Sequence, residues 1–411
     1  YIIILVLVTV LGVAGWYFLS RLGGNQTPTV QTPNSPGGLF PFGQGPAATS
    51  TAGNPTNQGH TGSTTIDLSG NQPAAASPRL RQISSVPAAG AVAFDAKSGT
   101  STQVIIRYME RATGHIYDTP TDDPTVTQIS NITIPKIYQA LWSVDGTHFV
   151  LRYLDSDNQT IKTFVGRVST TTDPEKAIDG VYLPDGIADL TVAGSNIFYL
   201  DENINGAQGI RANLDGSAKT DIFDSSFGDW AAAWTSPDIV LYPRPSGSVE
   251  ASAYYLNPKT SAFSEILNGT DGLAARSNPD GSLILYSGTT NGALGTAVFN
   301  IKKGTSVGLG VTTLADKCVW SAKTPTLVYC AVPKSLPAGS YPDDWYKGKV
   351  AFDDALWSID TKTGQTTQIF DPLTEAGTSM DMTNLSLDPT EKVLVLMNKD
   401  DLTVWRYDLT Q

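Results

Sequence analysis

Cysteine, histidine and basic residues are all scarce in this chain, and each scarcity removes a class of function. There are two cysteines, Cys318 and Cys330, and three histidines, His60, His115 and His148, none near another in sequence. A zinc-type centre needs a clustered ligand set, so no metal and no cofactor are expected. The chain carries 27 Lys and Arg against 39 Asp and Glu, a net charge of -12. Nucleic-acid affinity rests on basic patches, and nucleic acid is therefore excluded as a partner. Charge is also unevenly spread. The first 78 residues hold one base, Arg21, and one acid, Asp67, so the whole excess of acid lies in residues 79–411.

Long apolar runs are missing too, except at the start. Tyr1 to Leu19 is uncharged and apolar, at about 1.5 Å per residue long enough for the roughly 30 Å hydrocarbon core. Residues 1–20 read as a single-pass transmembrane helix, with Trp16 and Tyr17 at headgroup level and Arg21 following. A cleaved signal peptide would end in small residues, where bulky Trp16, Tyr17 and Phe18 stand here. Tyr1 reads as a truncation or a processing product. The processed case would resemble a type IV pilin, self-associating through its N-terminal helix, but Leu5 stands where that family carries Glu. Residues 21–78 are Pro, Gly, Ser, Thr, Asn and Gln with hardly any apolar side chain, a composition predicting a disordered tether. This organisation places the remainder on the extracytoplasmic side of a cell membrane.

From residue 79 onward no segment keeps a helical period, and short alternating strands follow one another between turn signals. The clearest unit is Trp142 to Tyr153, a strand, an Asp-Gly turn and a second strand. Copies recur at Ser277 to Tyr286, Trp234 to Tyr242, Trp320 to Ala331 and Leu385 to Leu396. Seven units of about 40 to 60 residues predict an all-β, seven-bladed β-propeller of four-stranded blades over 79–411. Inner strands are expected near Ala91–Phe94, Tyr138–Trp142, Ala188–Val192, Ala231–Trp234, Leu273–Ser277, Lys317–Trp320 and Asn384–Leu387. The last unit lacks a fourth strand, whereas Arg79 to Ser85 resembles the fourth strands elsewhere. Its insertion beside Leu402–Leu409 would close the ring and remove the free sheet edges.

The Trp-Ser-x-Asp-Gly element at Trp142–Gly146 and the Pro-Asp-Gly at Pro279–Gly281 resemble the blades of TolB-type (PD40, WD40-like) propellers, which are binding and scaffolding modules. Tyr341 to Gly348 is also similar to a segment of uncharacterised membrane-anchored propellers of candidate-phylum bacteria. Neither resemblance implies a particular activity.

The longest interruption falls between the second and third strands of the sixth unit, near Val332 and Ala355, on the face where blade-to-blade connections emerge. It carries Tyr341, Trp345 and Tyr346 among Asp343, Asp344, Asp353 and Asp354, rings and acids suited to a protein or glycan ligand. The alternative is that Trp345 tucks down as a plug over the ring. Paired acids also raise a glycan-active enzyme, which needs two carboxylates at fixed separation; Asp in turns is the structural alternative. Asp155 to Asn158 is oxygen-rich, but lacks the Gly and closing Glu of a calcium loop and reads as a turn. The leading expectation is thus a membrane-tethered, non-enzymatic surface module binding a protein or envelope polymer.

The cysteines can be placed by alignment. Matching Trp320-Ser321 to Trp142-Ser143 sets Trp320 opposite Val328 and Cys318 opposite Cys330, at the roughly 4.5 to 5.5 Å separation that a disulfide bridges. Two buried thiols packed as small apolar residues are the other possibility.

Overall fold

The computed structural model describes residues 78–410, apart from 99–100, 170–173 and 175–176. The expected membrane helix, and the linker up to residue 77, lie outside the described residues. Among the described residues no helix is long and apolar enough to cross a membrane.

Among the described residues from Arg79 onward, regular structure is almost entirely antiparallel strand. A short strand β1 (Leu80–Gln82) is followed by β2–β5 (Ala88–Ser98, Ser101–Glu110, Ile116–Pro120, Thr127–Ser130) and β6–β9 (Ile137–Trp142, His148–Leu154, Ile161–Val168, Ile178–Tyr182). Next come β10–β13 (Ile187–Ala193, Asn196–Asn203, Gly206–Asn213, Thr220–Ser225) and β14–β17 (Trp230–Ala233, Ile239–Pro243, Glu250–Leu256, Phe263–Ser277). Strands β18–β20 (Leu283–Thr290, Ala293–Asn300, Thr305–Gly308) precede β21–β24 (Cys318–Trp320, Leu327–Pro333, Asp354–Asp360, Gln365–Phe370) and β25–β27 (Met382–Leu387, Val393–Asn398, Val404–Asp408). Each set pairs in chain order as a four-stranded sheet. The exception is β14–β20, one seven-stranded sheet in which β17 is both the outer strand of one set and the inner strand of the next.

The first strands touch in sequence. β2 meets β6, β6 meets β10, β10 meets β14, β14 meets β17, the turn Ala315–Lys317 bridges β17 to β25, and β25 returns to β2. The sheets therefore stand around a closed ring, the geometry of a β-propeller. The core lies between neighbouring sheets: Phe94 and Met109 against Ile137, Trp142 and Phe149 in one seam, Val395 and Val404 against Ile106 and Tyr108 in the closing one.

The turn chemistry explains why the repeat is visible. In Ser143–Thr147 the Asp145 carboxylate accepts from the Thr147 N–H at 3.0 Å and from the Ser143 hydroxyl at 2.5 Å. Gly146 takes φ 66° and lies so close to Phe94 of the preceding sheet that a Cβ would sit 2.5 Å from its ring. Only glycine meets both demands. Asp280 repeats the arrangement with the Ser282 N–H at 2.9 Å.

Three expected boundaries shift. Leu273–Ser277 is not a separate strand but the end of β17, which changes partner from β16 to β18 across left-handed Gly269 and Gly272. Trp234 falls beyond β14, because its N–H turns aside to the Thr191 hydroxyl at 3.3 Å. Lys317 precedes β21 in a tight turn whose N–H is taken by the Leu314 carbonyl.

Closure occurs through the N-terminal strand. β1 pairs with β27, Leu80 opposite Tyr407 and Gln82 opposite Trp405, completing β25–β27 as a fourth strand. The Ser84 hydroxyl accepts the Val404 N–H, and Arg79 lies over the Tyr407 ring. A chain starting at residue 86 should therefore melt well below one starting at residue 78, by differential scanning calorimetry; equal melting temperatures would refute the closure.

Cys318 and Cys330 are opposed in β21 and β22 and form a disulfide, with Trp320 opposite Val328 as the alignment requires. The bond should resist alkylation after unfolding without reductant, as read by mass spectrometry of unreduced peptides. Replacing both cysteines with Ser should cost about 2 to 4 kcal/mol; free alkylation of both would contradict the pairing.

Candidate functional site

Antiparallel alternation puts every second-to-third strand loop, and every connection between sheets, on one face of the ring. The insertion at residues 334–353, between β22 and β23, lies there. It contains one short helix, α1 (Asp343–Tyr346), entered through a cis Tyr341–Pro342 bond. Its fold is set by its own side chains. Asp344 accepts the Ser340 N–H at 2.8 Å and pairs with Lys349, which together hold its carboxyl below the usual range. Tyr341, Trp345 and Phe352 pack with Leu314 and Leu294 as a small core.

The insertion bridges the sheets on either side of its own. On one side Asp343 Oδ2 accepts the Gly247 N–H at 2.7 Å, in the loop between β15 and β16. A Cβ on Gly247 would stand 2.1 Å from the Tyr341 carbonyl oxygen, so this contact requires glycine. On the other side Lys399, after β26, donates to the Trp345 carbonyl at 2.6 Å and lies 4.0 Å from the centre of its indole ring. The segment is a cap tied to sheets on both flanks of its own.

Beneath it sits a buried ionic cluster. Lys317, with no exposure at all, places Nζ 2.8 Å from Asp354 Oδ2 and 2.8 Å from the Met382 carbonyl, and donates to Asp381 Oδ1. Trp345 and Phe352 wall the ammonium at 5.0 and 5.1 Å from their ring centres. Asp381 is fully engaged: Oδ2 accepts the Trp345 indole N–H at 2.8 Å and the Phe352 N–H at 3.1 Å. Asp354 is less well served. Oδ2 accepts the Met382 N–H at 2.7 Å, while Oδ1 has no hydrogen-bond partner among the described residues. Burial accordingly pushes the Asp354 carboxyl up to about 6, against the pull of Lys317. Burial also lowers the Lys399 ammonium and raises the Asp400 carboxyl.

A second polar chain borders the cap. The Tyr346 hydroxyl donates to Asp316, and Arg276 Nη2 holds the other oxygen of that carboxylate at 2.9 Å. Desolvation at the Tyr346 hydroxyl, then the Asp316 charge, pushes the phenol up, although the residue as a whole keeps 39% of its surface exposed.

The expected site residues thus divide. Tyr341, Trp345 and Asp354 face inward, Trp345 as a plug 5% exposed, and Asp354 opens β23 instead of lying in a loop. Asp343 and Asp344 hold the cap's own geometry, and Asp353 pairs with Lys334 at 3.1 Å. Tyr346 remains exposed at 39%. Lys317, Asp381 and Lys399 were not among the expected site residues. A lysine at a strand start reads as solvated, and its partner Asp381 stands 64 residues away. Elsewhere, Asp123 caps its own turn through the Thr125 N–H, and Asp155–Asn158 forms a turn with Asn158 at φ 55°.

No family model matches the chain, and no curated protein matches it. Solved structures similar to it include TolB from Acinetobacter baumannii, at 10% identity and TM-score 0.40, covering 78% of this chain and 80% of that one. Oligogalacturonate lyase from Vibrio parahaemolyticus is 11% identical with TM-score 0.46, covering 82% and 99%. The β-propeller domain of the Trilobed protease from Pyrococcus furiosus is 11% identical with TM-score 0.48, covering 77% and 96%. These are likenesses of fold, TolB among them, and carry no activity with them.

Asp354 yields a signed pH test. Its folded value lies above its unfolded one, so its contribution to stability is complete below about 4 and lost as pH rises through about 6. Asp354→Asn mimics the protonated form. Relative to the unmodified protein its stability should rise between pH 4 and 7, by up to about 3 kcal/mol, measured by urea unfolding at each pH; a flat or falling difference would contradict the assignment.

Proposed function

We propose that the chain is a membrane-tethered, non-enzymatic binding module: a seven-bladed propeller, carried by residues 1–20 and a linker, whose capped face engages a surface protein or envelope polymer. The blade count takes β14–β20 as two blades sharing β17 and each other sheet as one. The observation that carries the reading is where the exposed apolar side chains lie. Of the large apolar side chains exposed in connections between strands, Ile204, Phe227, Val249, Leu336, Tyr346 and Leu373 lie on the capped face, in loops or short helices, against Val126 and Val144 on the opposite face. That bias of exposed apolar side chains toward one face favours a contact surface there. The acids of the insertion support the same reading, because each is bound to a lysine or a backbone N–H and is engaged in holding the cap.

The face can be tested directly. Ile204→Asp and Val249→Asp, made in the detergent-solubilised full chain, should abolish capture of envelope components. Val144→Asp and Val126→Asp, on the opposite face, should leave it intact. Equal capture by the two pairs would reject the proposed face.

A further inference from the structure

A second recognition site lies away from the cap, on the rim of the sheet β6–β9. A cleft of about 360 Å³ opens there, lined by Tyr153, Lys162, Tyr182, Leu183, Pro184 and Asp185. Register explains its walls. Tyr153 stands opposite Lys162, and Phe164 opposite Tyr182, so these side chains share one sheet face. Tyr182 is 57% exposed, and its ring is fixed edge-on against Phe164 at 5.1 Å. Its hydroxyl lies 3.1 Å from that of Tyr153. One proton serves that contact, leaving the second proton and the remaining lone pairs for a ligand. The opposite wall is a Lys162–Asp185 ion pair at 2.7 Å, with Asp185 half exposed. The floor is buried Leu183 beside exposed Pro184.

We infer that this cleft binds one neutral pyranose unit of a glycan. A sugar ring has an apolar C–H face and a rim of hydroxyls, and the cleft offers an oriented aromatic ring with donors and acceptors around it. The volume falls at the small end of the range for small-molecule sites. Charge selects the neutral class: Lys162 is already neutralised by Asp185, and the chain carries -12 overall, so an anionic sugar meets no free cation here. The inference names one of the ligand classes in the proposed function, but rests on different residues from the capped face.

Saturation-transfer NMR on the detergent-solubilised full chain tests it, with maltotriose and cellotriose as neutral probes and trigalacturonate as the anionic one. Transfer to ring protons is expected for at least one neutral probe, with Tyr182→Ala weakening binding about tenfold or more. Ile204→Asp, which disables the capped face, should leave that transfer unchanged. Should Tyr182→Ala lower the melting temperature, Tyr182→Phe, which keeps the ring and removes one hydroxyl, serves in its place with a smaller loss. No transfer from either neutral probe at about 10 mM, transfer insensitive to Tyr182, or stronger binding of trigalacturonate would each overturn the inference.

Discussion

The ammonium of Lys317 holds the insertion between β22 and β23 to the two sheets beneath it. Removing such a charge from water costs several kcal/mol, recovered only where opposed charges and hydrogen bonds surround it closely. Asp381, Asp354 and the Met382 carbonyl supply them, and Trp345 and Phe352 close the remaining directions. Those groups come from the turn before β21, the start of β23, the approach to β25 and the insertion. The cluster therefore couples two neighbouring sheets to the cap above them. Taking away the Lys317 charge would leave two buried carboxylates without their cation, a loss of about 3 to 5 kcal/mol.

Ring closure supplies the complementary constraint. β1 brings residues 80–82 beside β27, so the last sheet takes its fourth strand from the start of the described chain and the ring is closed by backbone pairing. The seam between β25–β27 and β2–β3 then buries Val395, Val404, Ile106 and Tyr108. The cap and the closure meet in this last sheet, since Asp381 and Lys399 flank β25 and β26 while β1 completes the other edge. The loops of the capped face lie outside this framework, and Ile204 and Val249 are exposed there without entering the core.

Most of the sheet architecture was legible because local chemistry dictated it. Asp145 and Gly146 read as a turn because one must accept from the backbone and the other must take positive φ, and both do so. The cysteine pairing followed from the Trp320–Val328 register, which one Trp-Ser alignment set. The placement of Arg79 to Ser85 followed from counting strands in the last unit. What escaped the sequence was long-range. Nothing local in Lys317 announces burial, since its partners arrive through tertiary packing, and nothing in Asp354 separates an interior acid from the turn aspartates beside it. The continuity of β17 was equally hidden, because Leu273–Ser277 was expected as a separate strand, and glycines such as Gly269 and Gly272 weaken a strand pattern although the ladder runs on both sides of them.

The most direct test of the central claim is amide hydrogen exchange across residues 334–353, compared between the unmodified protein and Lys317→Met. If the buried ammonium holds the cap, the Trp345, Tyr346 and Phe352 amides are protected like the flanking sheets and lose that protection selectively in the variant, while β6–β9 stay protected. Fast exchange of those amides in the unmodified protein, or equal protection in both proteins, would contradict it.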